Sequence, residues 1–444
     1  MRRGRRILIL GGGPIGVEAA VHAAGLGYDV RLLEAHRVGS HLLRWGHVRM
    51  FSPWSMNCSP EGLRVLKREG VRPFNGGARF PTGREFVRDY LEPLSRSRLL
   101  KGRVEEGVRA IAIGRDGLLK GDRVGRPARA LRPFRVLVWN GRRQRVVGAD
   151  LLIDATGTYA HPRHLGNGGI PAPGEQEAAP YIDYHLVDLL GRRARDFAGR
   201  RTLLVGSGHS AAAAVVALAE LARRAPQTRV VWAFRCRRRA PIVRVQGDPL
   251  LLRDRQAAEA NTIAAGSVPA IRALRGATIE AVHLDPAARR SGGRRGGFRV
   301  SIRTEGGRLR RERFDRILAH VGYAPDRSLY AELQVHECYA TGGPMKIAAS
   351  LIGEAGAGAD CLRQPGPTAD LLSNPEPGFF ILGSKSYGRN PNFLMRTGHE
   401  QIRALFEALR RGDTARPVAT GSGPAGGPRP PMAAAAASPG EAGA

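Results

Sequence analysis

The first hydrophobic pattern in the chain is a short apolar run, Ile7 to Leu10, that lies behind a basic tail and stops at a cluster of glycines. An alanine-rich stretch follows, and a second apolar run, Tyr28 to Leu33, ends at Glu34. Short apolar runs on either side of a longer alanine-rich segment are typical of strand, helix and strand. The N-terminus is therefore predicted to form a β-α-β unit, because the first run is far too short for a signal peptide or a membrane helix.

The same pattern returns in the middle of the chain. Thr202 to Val205 reads as a strand, an alanine-rich helix runs to Ala222, and Arg229 to Phe234 reads as the next strand. Two further stretches, which begin at Phe134 and Phe298, each read as a hairpin, an aspartate, an apolar strand and a glycine-tyrosine turn. The repetition predicts an α/β fold with two Rossmann-like dinucleotide-binding domains, the second inserted in the first, each with an appended β-hairpin or meander.

The crossover sequences "ATGTYAHP" and "GYAPD" give the expected boundaries. Residues 1–160 and 326–411 are predicted to form the first domain, and residues 161–325 the second. Glycines and prolines mark residues 327–378 as an irregular covering insert or a surface insertion. The Pro, Gly and Ala bias of residues 412–444 predicts a disordered tail.

Glycine spacing gives the first β-α turn its chemistry. Gly11 allows a tight turn, Gly13 lets a pyrophosphate approach the backbone, and Gly16 lets helix and strand pack closely. The start of the helix offers N–H groups and a positive dipole to phosphates. Glu34, at the end of the second strand, is placed to accept hydrogen bonds from a ribose diol.

The second turn reads GxGxxA, with Gly206, Gly208 and Ala211, but its following strand leads into "RCRRR", Arg235 to Arg239. Arginine suits the 2′-phosphate of NADP, whereas an acidic residue would read a ribose hydroxyl. The alternative is one more arginine cluster in an arginine-rich chain. The sequence favours NADPH over NADH.

Composition limits the remaining possibilities. The formal charge of +31 comes almost entirely from arginines spread along the chain, without a nucleic-acid module or a basic face interleaved with aromatic residues. No specific nucleic-acid partner is predicted, only weak salt-dependent attraction to polyanions. The four cysteines lie far apart without metal-ligand spacing, so we expect a reduced, cytoplasmic protein without a metal site or a membrane span.

Four stretches carry a family resemblance: "GGGPIG" with Glu34, "FAGRRTLLVGSGHSA", "ATGTYAHP" and "FPTGREFVRDYLEPL". With them, about residues 5–411 resemble the two-dinucleotide-binding-domain flavoproteins, most closely the flavin-containing and N-hydroxylating monooxygenases. The resemblance implies FAD on the first glycine turn and NADPH on the second. It also places the start of the last helix, expected from about Pro391 with Asn390 as its cap, at the pyrimidine end of the flavin.

Site residues follow from the same resemblance. In "NCSPE", Asn57 with Glu61 matches the asparagine that the monooxygenases carry beside the flavin, so Asn57 is the predicted catalytic residue. Plain core aromatics around it, and a capping role for Asn57, remain the alternatives. Ser384 stands where related reductases carry an aspartate. The predicted cofactor-binding residues are Gly11, Gly13, Pro14, Gly16, Glu34, Trp45, Ala155, Thr156, Gly157, Gly206, Ser207, Gly208, Ser210, Arg235, Arg237, Gly383, Ser384 and Asn392.

The resemblance implies an FAD-dependent, NADPH-using monooxygenase that oxidises a nitrogen or sulfur centre of a small molecule with O2 through a C4a-hydroperoxyflavin. A flavin reductase or dehydrogenase that passes electrons to a quinone or protein is one alternative. A non-catalytic flavin-binding sensor or scaffold is another. Disulfide reductases are disfavoured because Cys58 has no second cysteine nearby.

Overall fold

The computed structural model describes residues 4–71, 77–285, 297–353 and 366–412. Two parallel sheets form the framework, each with its own three-stranded antiparallel sheet. The strands are β1 Arg6–Leu10, β2 Asp29–Glu34, β3 Val104–Glu106, β4 Arg109–Arg115, β5 Phe134–Trp139, β6 Gln144–Ala149, β7 Leu151–Asp154, β8 Arg201–Val205, β9 Arg229–Ala233, β10 Ile271–Leu274, β11 Thr278–Leu284, β12 Phe298–Arg303, β13 Leu309–Phe314, β14 Arg316–Ala319 and β15 Phe379–Ile381.

The longer helices cover the parallel sheets, and short helical turns fill the connections. The α-helices are α1 Pro14–Gly25, α2 Ser40–Arg44, α3 Trp54–Asn57, α4 Pro60–Arg68, α5 Gly83–Phe86, α6 Glu92–Ser95, α7 Glu175–Ala178, α8 Ala194–Phe197, α9 His209–Arg224, α10 Leu251–Ala264, α11 Met345–Gly353, α12 Ala369–Leu372 and α13 Met395–Arg411. Within the described ranges no helix is long and apolar enough to cross a membrane, and no cluster of His, Cys, Asp and Glu could hold a metal ion.

The first parallel sheet has the order β15-β7-β1-β2-β3, and the second has the order β10-β9-β8-β14. All strands of the second sheet lie in sequence between β7 and β15 of the first, so the second unit is inserted in the first. The antiparallel sheets β4-β5-β6 and β11-β12-β13 are the predicted meanders. The predicted fold class is confirmed.

Alternation along each central strand explains the layering. In β1, Ile7 and Ile9 pack among the helices around α1, whereas Leu8 and Leu10 pack against the sheet β4-β5-β6. In β8 the same alternation directs Leu204 towards α9 and α10. Each parallel sheet is therefore buried on both faces, which is why its strands read as nearly continuous apolar runs.

The two crossover segments lie side by side. Pro162 pairs with Tyr323 in an antiparallel bridge, the Ala324 N–H donates to the His161 carbonyl at 2.9 Å, and the Arg163 N–H donates to the Gly322 carbonyl at 2.9 Å. The chain thus enters and leaves the second unit through one short ladder. The ladder holds the carboxyl ends of β7 and β14 near each other.

Two expectations fall differently in the structure. The last helix begins at Met395, not near Pro391, because the Asn390 side chain accepts a hydrogen bond from the Asn392 N–H at 3.0 Å and forms a local turn instead of a cap. The expected covering insert contains a regular helix, α11. Residues 354–365 of the insert and residues 413–444 of the expected tail lie outside the described residues.

Candidate functional site

The first glycine turn is closed on its inner side. The Gly11 N–H donates to the Leu33 carbonyl at 2.8 Å, and Gly11 has a φ of 101°, a value that favours glycine. A β-carbon at Gly11 would stand 2.6 Å from the Ala155 carbonyl oxygen, and one at Gly16 would stand 1.8 Å from the Gly11 carbonyl oxygen. Neither position has room for a side chain.

The outer side of the turn is open. A β-carbon at Gly13 would meet no atom within 4 Å. Gly13 is also the residue before helix α1, whose first residue is Pro14, and no side chain caps the helix. The first N–H groups of α1 therefore face open space beside a bare backbone, which is the geometry that accepts a phosphate.

Glu34 fixes one edge of the first turn. Its buried carboxylate accepts hydrogen bonds from the Gly12 N–H at 2.6 Å and from the His36 N–H at 2.9 Å. Each carboxylate oxygen keeps further acceptor capacity. Glu34 can thus accept ribose hydroxyls while it holds the turn.

The crossover after β7 is locked by a buried ion pair. The Lys385 ammonium donates to Asp154 at 2.7 Å and to the Thr156 hydroxyl at 3.0 Å, and the Lys385 and Asp154 side chains are both fully buried. Asp154 also accepts from the Thr156 N–H at 3.1 Å. The positive charge of Lys385 is therefore paired with the Asp154 carboxylate. These hydrogen bonds also fix the loop that contains the predicted residues Ala155, Thr156 and Gly157.

The segment after β15 joins this loop to helix α1. A β-carbon at Gly157 would lie 3.5 Å from the Ser384 hydroxyl oxygen. At Gly383 and Gly398, added β-carbons would contact Ile15 at 3.3 and 2.3 Å. The first turn, the crossover and the approach to α13 thus converge, and Asn392 lies in that approach.

The second glycine turn repeats the first. The Gly206 N–H donates to the Ala233 carbonyl at 3.0 Å, Gly206 has a φ of 124°, and its β-carbon would stand 2.1 Å from the His320 carbonyl oxygen. Gly208 is as open as Gly13, and no side chain caps α9. Ser207 and Ser210 flank this opening.

Strand register shows that the arginines after β9 do not occupy the position that Glu34 has at the end of β2. Leu33 and Ala233 accept the same turn hydrogen bond, so the position that matches Glu34 is Phe234, which is buried. The arginines begin one residue later and are exposed. Among the described ion pairs, Arg237 contacts Glu305 at 3.5 Å, and none involves Arg235.

Asn57 lies at the end of α3 and is 1% exposed. Its side-chain oxygen accepts from the Ser52 hydroxyl at 2.7 Å, and its nitrogen donates to the Ser52 carbonyl at 2.9 Å. The second N–H of the amide faces only the Met50 sulfur, at 3.8 Å, which is a weak acceptor. The helix after it is capped by Ser59, whose hydroxyl accepts from the Gly62 N–H at 2.8 Å.

The segment around Asn57 reaches the second unit. The Phe51 ring lies 5.8 Å from the His209 ring at the start of α9, and the Trp45 ring packs over Gly83. Burial raises the pKa of the Cys58 thiol, so this cysteine is a poor nucleophile. Asn57 and its neighbours therefore lie on the side of the first unit that faces the second glycine turn.

Three buried groups were missed from the sequence: Glu18, the Asp154–Lys385 pair and His320. Burial lowers the pKa of His320 to about 4, so its ring is neutral at pH 7. A polar residue inside the apolar stretches "GVEAAV" and "ILAHVG" was the only available signal. Such a residue indicates that a polar group is buried, but it does not identify what lies around that group.

No protein-family model and no curated protein matches the sequence. Solved structures with a similar fold include bacillithiol disulfide reductase Bdr (YpdA) from Bacillus cereus, at 18% identity and a TM-score of 0.63, with 92% of this chain and 100% of that chain covered. The cadaverine monooxygenase DfoA from Erwinia amylovora, solved with FAD, has 12% identity and a TM-score of 0.59, with 95% and 99% covered. The ornithine N-hydroxylase from Kutzneria sp. 744 has 16% identity and a TM-score of 0.57, with 92% and 99% covered.

These similarities span nearly the whole of each chain, and they agree with the two units described above, of which the second is inserted in the first. The matched structures include both disulfide reductases and N-hydroxylating monooxygenases. The chain therefore has the fold that these two groups of oxidoreductases share.

Proposed function

We propose that the protein is an oxidoreductase that uses FAD and NADPH, and that it oxidises a nitrogen or sulfur centre of a small molecule with O2. The observation that carries the proposal is the pair of matching glycine turns, each with an open backbone and an uncapped helix start. One protein that holds two such turns can bind two dinucleotides. FAD would accept a hydride from NADPH and pass the electrons to O2.

The chain's own residues fit FAD on the first turn. The backbone at Gly13 and the start of α1 would bind the pyrophosphate, and Glu34 would accept the ribose hydroxyls. The loop from Ala155 to Gly157, with Gly383 and Ser384 against it, would bind the middle of the cofactor. The uncapped start of α13, just after Asn392, would stabilise negative charge on the reduced ring.

NADPH on the second turn is supported by three arginines, Arg163, Arg235 and Arg389, that form no ion pair among the described residues. Arg235 follows β9, where a ribose 2′-phosphate would lie, and Phe234 leaves no carboxylate to repel that phosphate. The pKa of Arg163 is lowered first by burial and then by Arg389 and Arg235, so three guanidinium groups lie within electrostatic reach of one another. A doubly charged phosphate would relieve this repulsion.

Asn57 supports oxygen chemistry over thiol chemistry. Disulfide exchange needs a reactive thiolate, and burial raises the pKa of Cys58. An amide instead can donate a hydrogen bond without competing for electrons. The weakly engaged N–H of Asn57 is the group that we assign to the oxygen-reacting side of the flavin.

The test is reduction of the purified, FAD-loaded protein by NADPH without oxygen, followed by rapid mixing with oxygenated buffer. We expect NADPH to bleach the flavin. A transient spectrum that differs from those of oxidised and reduced flavin should then appear, and Asn57→Ala should shorten its lifetime. Asn140→Ala, which changes an exposed asparagine in the β5–β6 turn, is the matched control.

The alternatives predict other outcomes of the same experiment. Reoxidation in a single step, together with rapid turnover of a quinone or a disulfide, would favour a reductase or dehydrogenase. A flavin that NADPH does not bleach would favour a sensor or scaffold and would contradict the role assigned to Gly206 and Arg235.

A further inference from the structure

A buried polar cluster lies behind the first glycine turn. Glu18, on α1, accepts hydrogen bonds from the Ser59 hydroxyl at 2.6 Å and from the Tyr90 hydroxyl, and its Oε1 lies 3.7 Å from the His399 Nε2. The Ser59 N–H donates to the Tyr90 oxygen at 3.0 Å. Glu18, Ser59, Tyr90 and His399 are all buried.

Glu18 joins elements that the proposed function places around the flavin. It lies one helical turn after Pro14, which begins the phosphate-facing end of α1. Ser59 stands two residues after Asn57 and caps α4. His399 lies in the first turns of α13, whose start we place near the flavin ring.

Burying the polar groups of this cluster costs desolvation free energy. Glu18 lies among fully buried apolar neighbours, including Val17 and Ala19. Its pKa is raised by burial, although hydrogen bonds from Ser59 and Tyr90 oppose that rise. Apolar residues of similar size could fill this space without a desolvation penalty, whereas the hydrogen bonds of Glu18 with Ser59 and Tyr90 fix one arrangement of these three residues.

We propose that Glu18 is a positioning residue that holds the Asn57–Ser59 segment against α1 and so sets where the Asn57 amide lies relative to the ligand of the first turn. The proposal rests on the proposed function for the identity of that ligand. Glu18 itself touches neither the glycine turn nor Asn57 in the contacts described. Its effect must pass through Ser59 and the backbone of Cys58.

The reactivity of the Cys58 thiol measures how firmly the Asn57–Ser59 segment is held, and this measurement needs no bound cofactor. Cys58 lies between Asn57 and Ser59 and is 6% exposed. Glu18→Gln keeps the size of the side chain but replaces one of the two oxygens that accept from Ser59 and Tyr90 with an amide NH2 group, which cannot accept. We expect at least about tenfold faster alkylation of Cys58, read by peptide mass spectrometry. Cys338, which is buried in another segment, should react no faster in Glu18→Gln than in the wild type. A general loosening of the fold would instead expose both thiols.

The control variant is Glu220→Gln on α9, which removes a carboxylate that pairs with Arg223 and Arg224 at the surface. It should leave Cys58 protected. Equal protection of Cys58 in Glu18→Gln and Glu220→Gln would overturn the proposal. Faster alkylation of Cys338 together with Cys58 would also overturn it, since Glu18 would then be only a stability residue.

A double-mutant cycle tests the link to Asn57 in the FAD-loaded protein. The readout is the rate at which O2 reoxidises the reduced flavin. If Glu18 acts through Asn57, the double variant Glu18→Gln/Asn57→Ala should match Asn57→Ala within about twofold, whereas independent effects would multiply. Multiplied effects would overturn the positioning role.

The Cys58 alkylation experiment and the double-mutant cycle together distinguish failure of the positioning role from failure of the proposed function. A wild-type protein that holds no FAD would contradict the proposed function, while the alkylation of Cys58 would still decide whether Glu18 holds the segment. A protein that binds FAD but reoxidises at the same rate with Asn57→Ala would contradict the role of Asn57, and with it the positioning role.

Discussion

The two glycine turns have the same backbone but different surroundings. In each turn the N–H of the first glycine donates to the end of the neighbouring strand. A β-carbon on that glycine would collide with a carbonyl oxygen, that of Ala155 in one unit and that of His320 in the other. Around this common core the first unit places Asp154, Glu34 and Gly16. Strand register puts Ala319, Phe234 and Ala211 at the matching positions of the second.

The difference shows which parts of the motif belong to the fold and which to the ligand. Both units have the open glycine and the uncapped helix, which would suit any pyrophosphate. The charged groups differ because one turn would read a ribose diol and the other a phosphorylated ribose. Exchanging single features between the turns should therefore separate stability from ligand choice.

We expect the largest loss of stability when the Asp154–Lys385 ion pair is broken. Among the described residues, the first crossover has this pair and the second has none. Lys385→Met leaves the Asp154 carboxylate buried without its cation, which should cost about 3 to 5 kcal/mol of unfolding free energy. The double variant Asp154→Ala/Lys385→Met makes this position resemble Ala319, and it should be more stable than Lys385→Met alone. Urea unfolding at pH 7 measures both. A double variant no more stable than the single one would contradict this account.

The third glycine is the next test of the comparison. In Gly16→Ala the new methyl group would meet the Gly11 carbonyl, so the variant should lose about 3 kcal/mol and most of its flavin. Ala211, at the matching position, is fully buried without strain, and Ala211→Gly should cost only about 1 kcal/mol. Thermal unfolding and flavin content measure both variants.

Gly13→Ala is the matched control for the first turn, because nothing lies within 4 Å of the new β-carbon. It should unfold like the wild type and yet bind FAD at least about tenfold more weakly, since the methyl group would occupy the pyrophosphate position. Unchanged affinity would show that the phosphate does not lie at Gly13.

His320 distinguishes the second crossover by its response to pH. Its pKa of about 4 in the folded protein lies below the ordinary value of 6.5, so the unfolded chain takes up the proton first. Its contribution to stability is therefore complete above about pH 6.5 and declines as the pH falls towards 4, by roughly 3 kcal/mol in total. His320→Ala, which copies Ala155, should lack this part of the pH dependence when unfolding is compared at pH 7, 5.5 and 4.5.

Sequence patterns predicted the features that depend on neighbouring residues. The glycine turns, the central strands and the insertion all follow from local alternation and spacing. The start of the last helix was wrong because Asn390 bonds to Asn392, and a cap and a local turn share one sequence signal. Phe234 matches Glu34 because the Gly206 N–H bonds to the Ala233 carbonyl. This pairing forms only in the assembled sheet, so the sequence did not predict it.

Buried polar partners were beyond the reach of sequence patterns. Lys385 and Asp154 are distant in the chain and meet only because β15 pairs with β7. The motif predicts Asn57 as a site residue, but the bonds of Asn57 to Ser52 and of Ser59 to Glu18 depend on tertiary packing. Sequence patterns can thus nominate candidate site residues, but they do not give the contacts that orient those residues.

The smallest expected effect concerns the choice between NADPH and NADH. Arg235→Ala should raise the KM for NADPH about tenfold, which corresponds to about 1.4 kcal/mol, and leave the KM for NADH nearly unchanged. Arg237→Ala is the matched control, because Arg237 already contacts Glu305 and should matter less. Steady-state reduction of an artificial acceptor measures both cofactors. If Arg235→Ala weakened NADPH and NADH equally, its charge would act on the shared pyrophosphate, and the second turn would have lost the feature that most distinguishes it from the first.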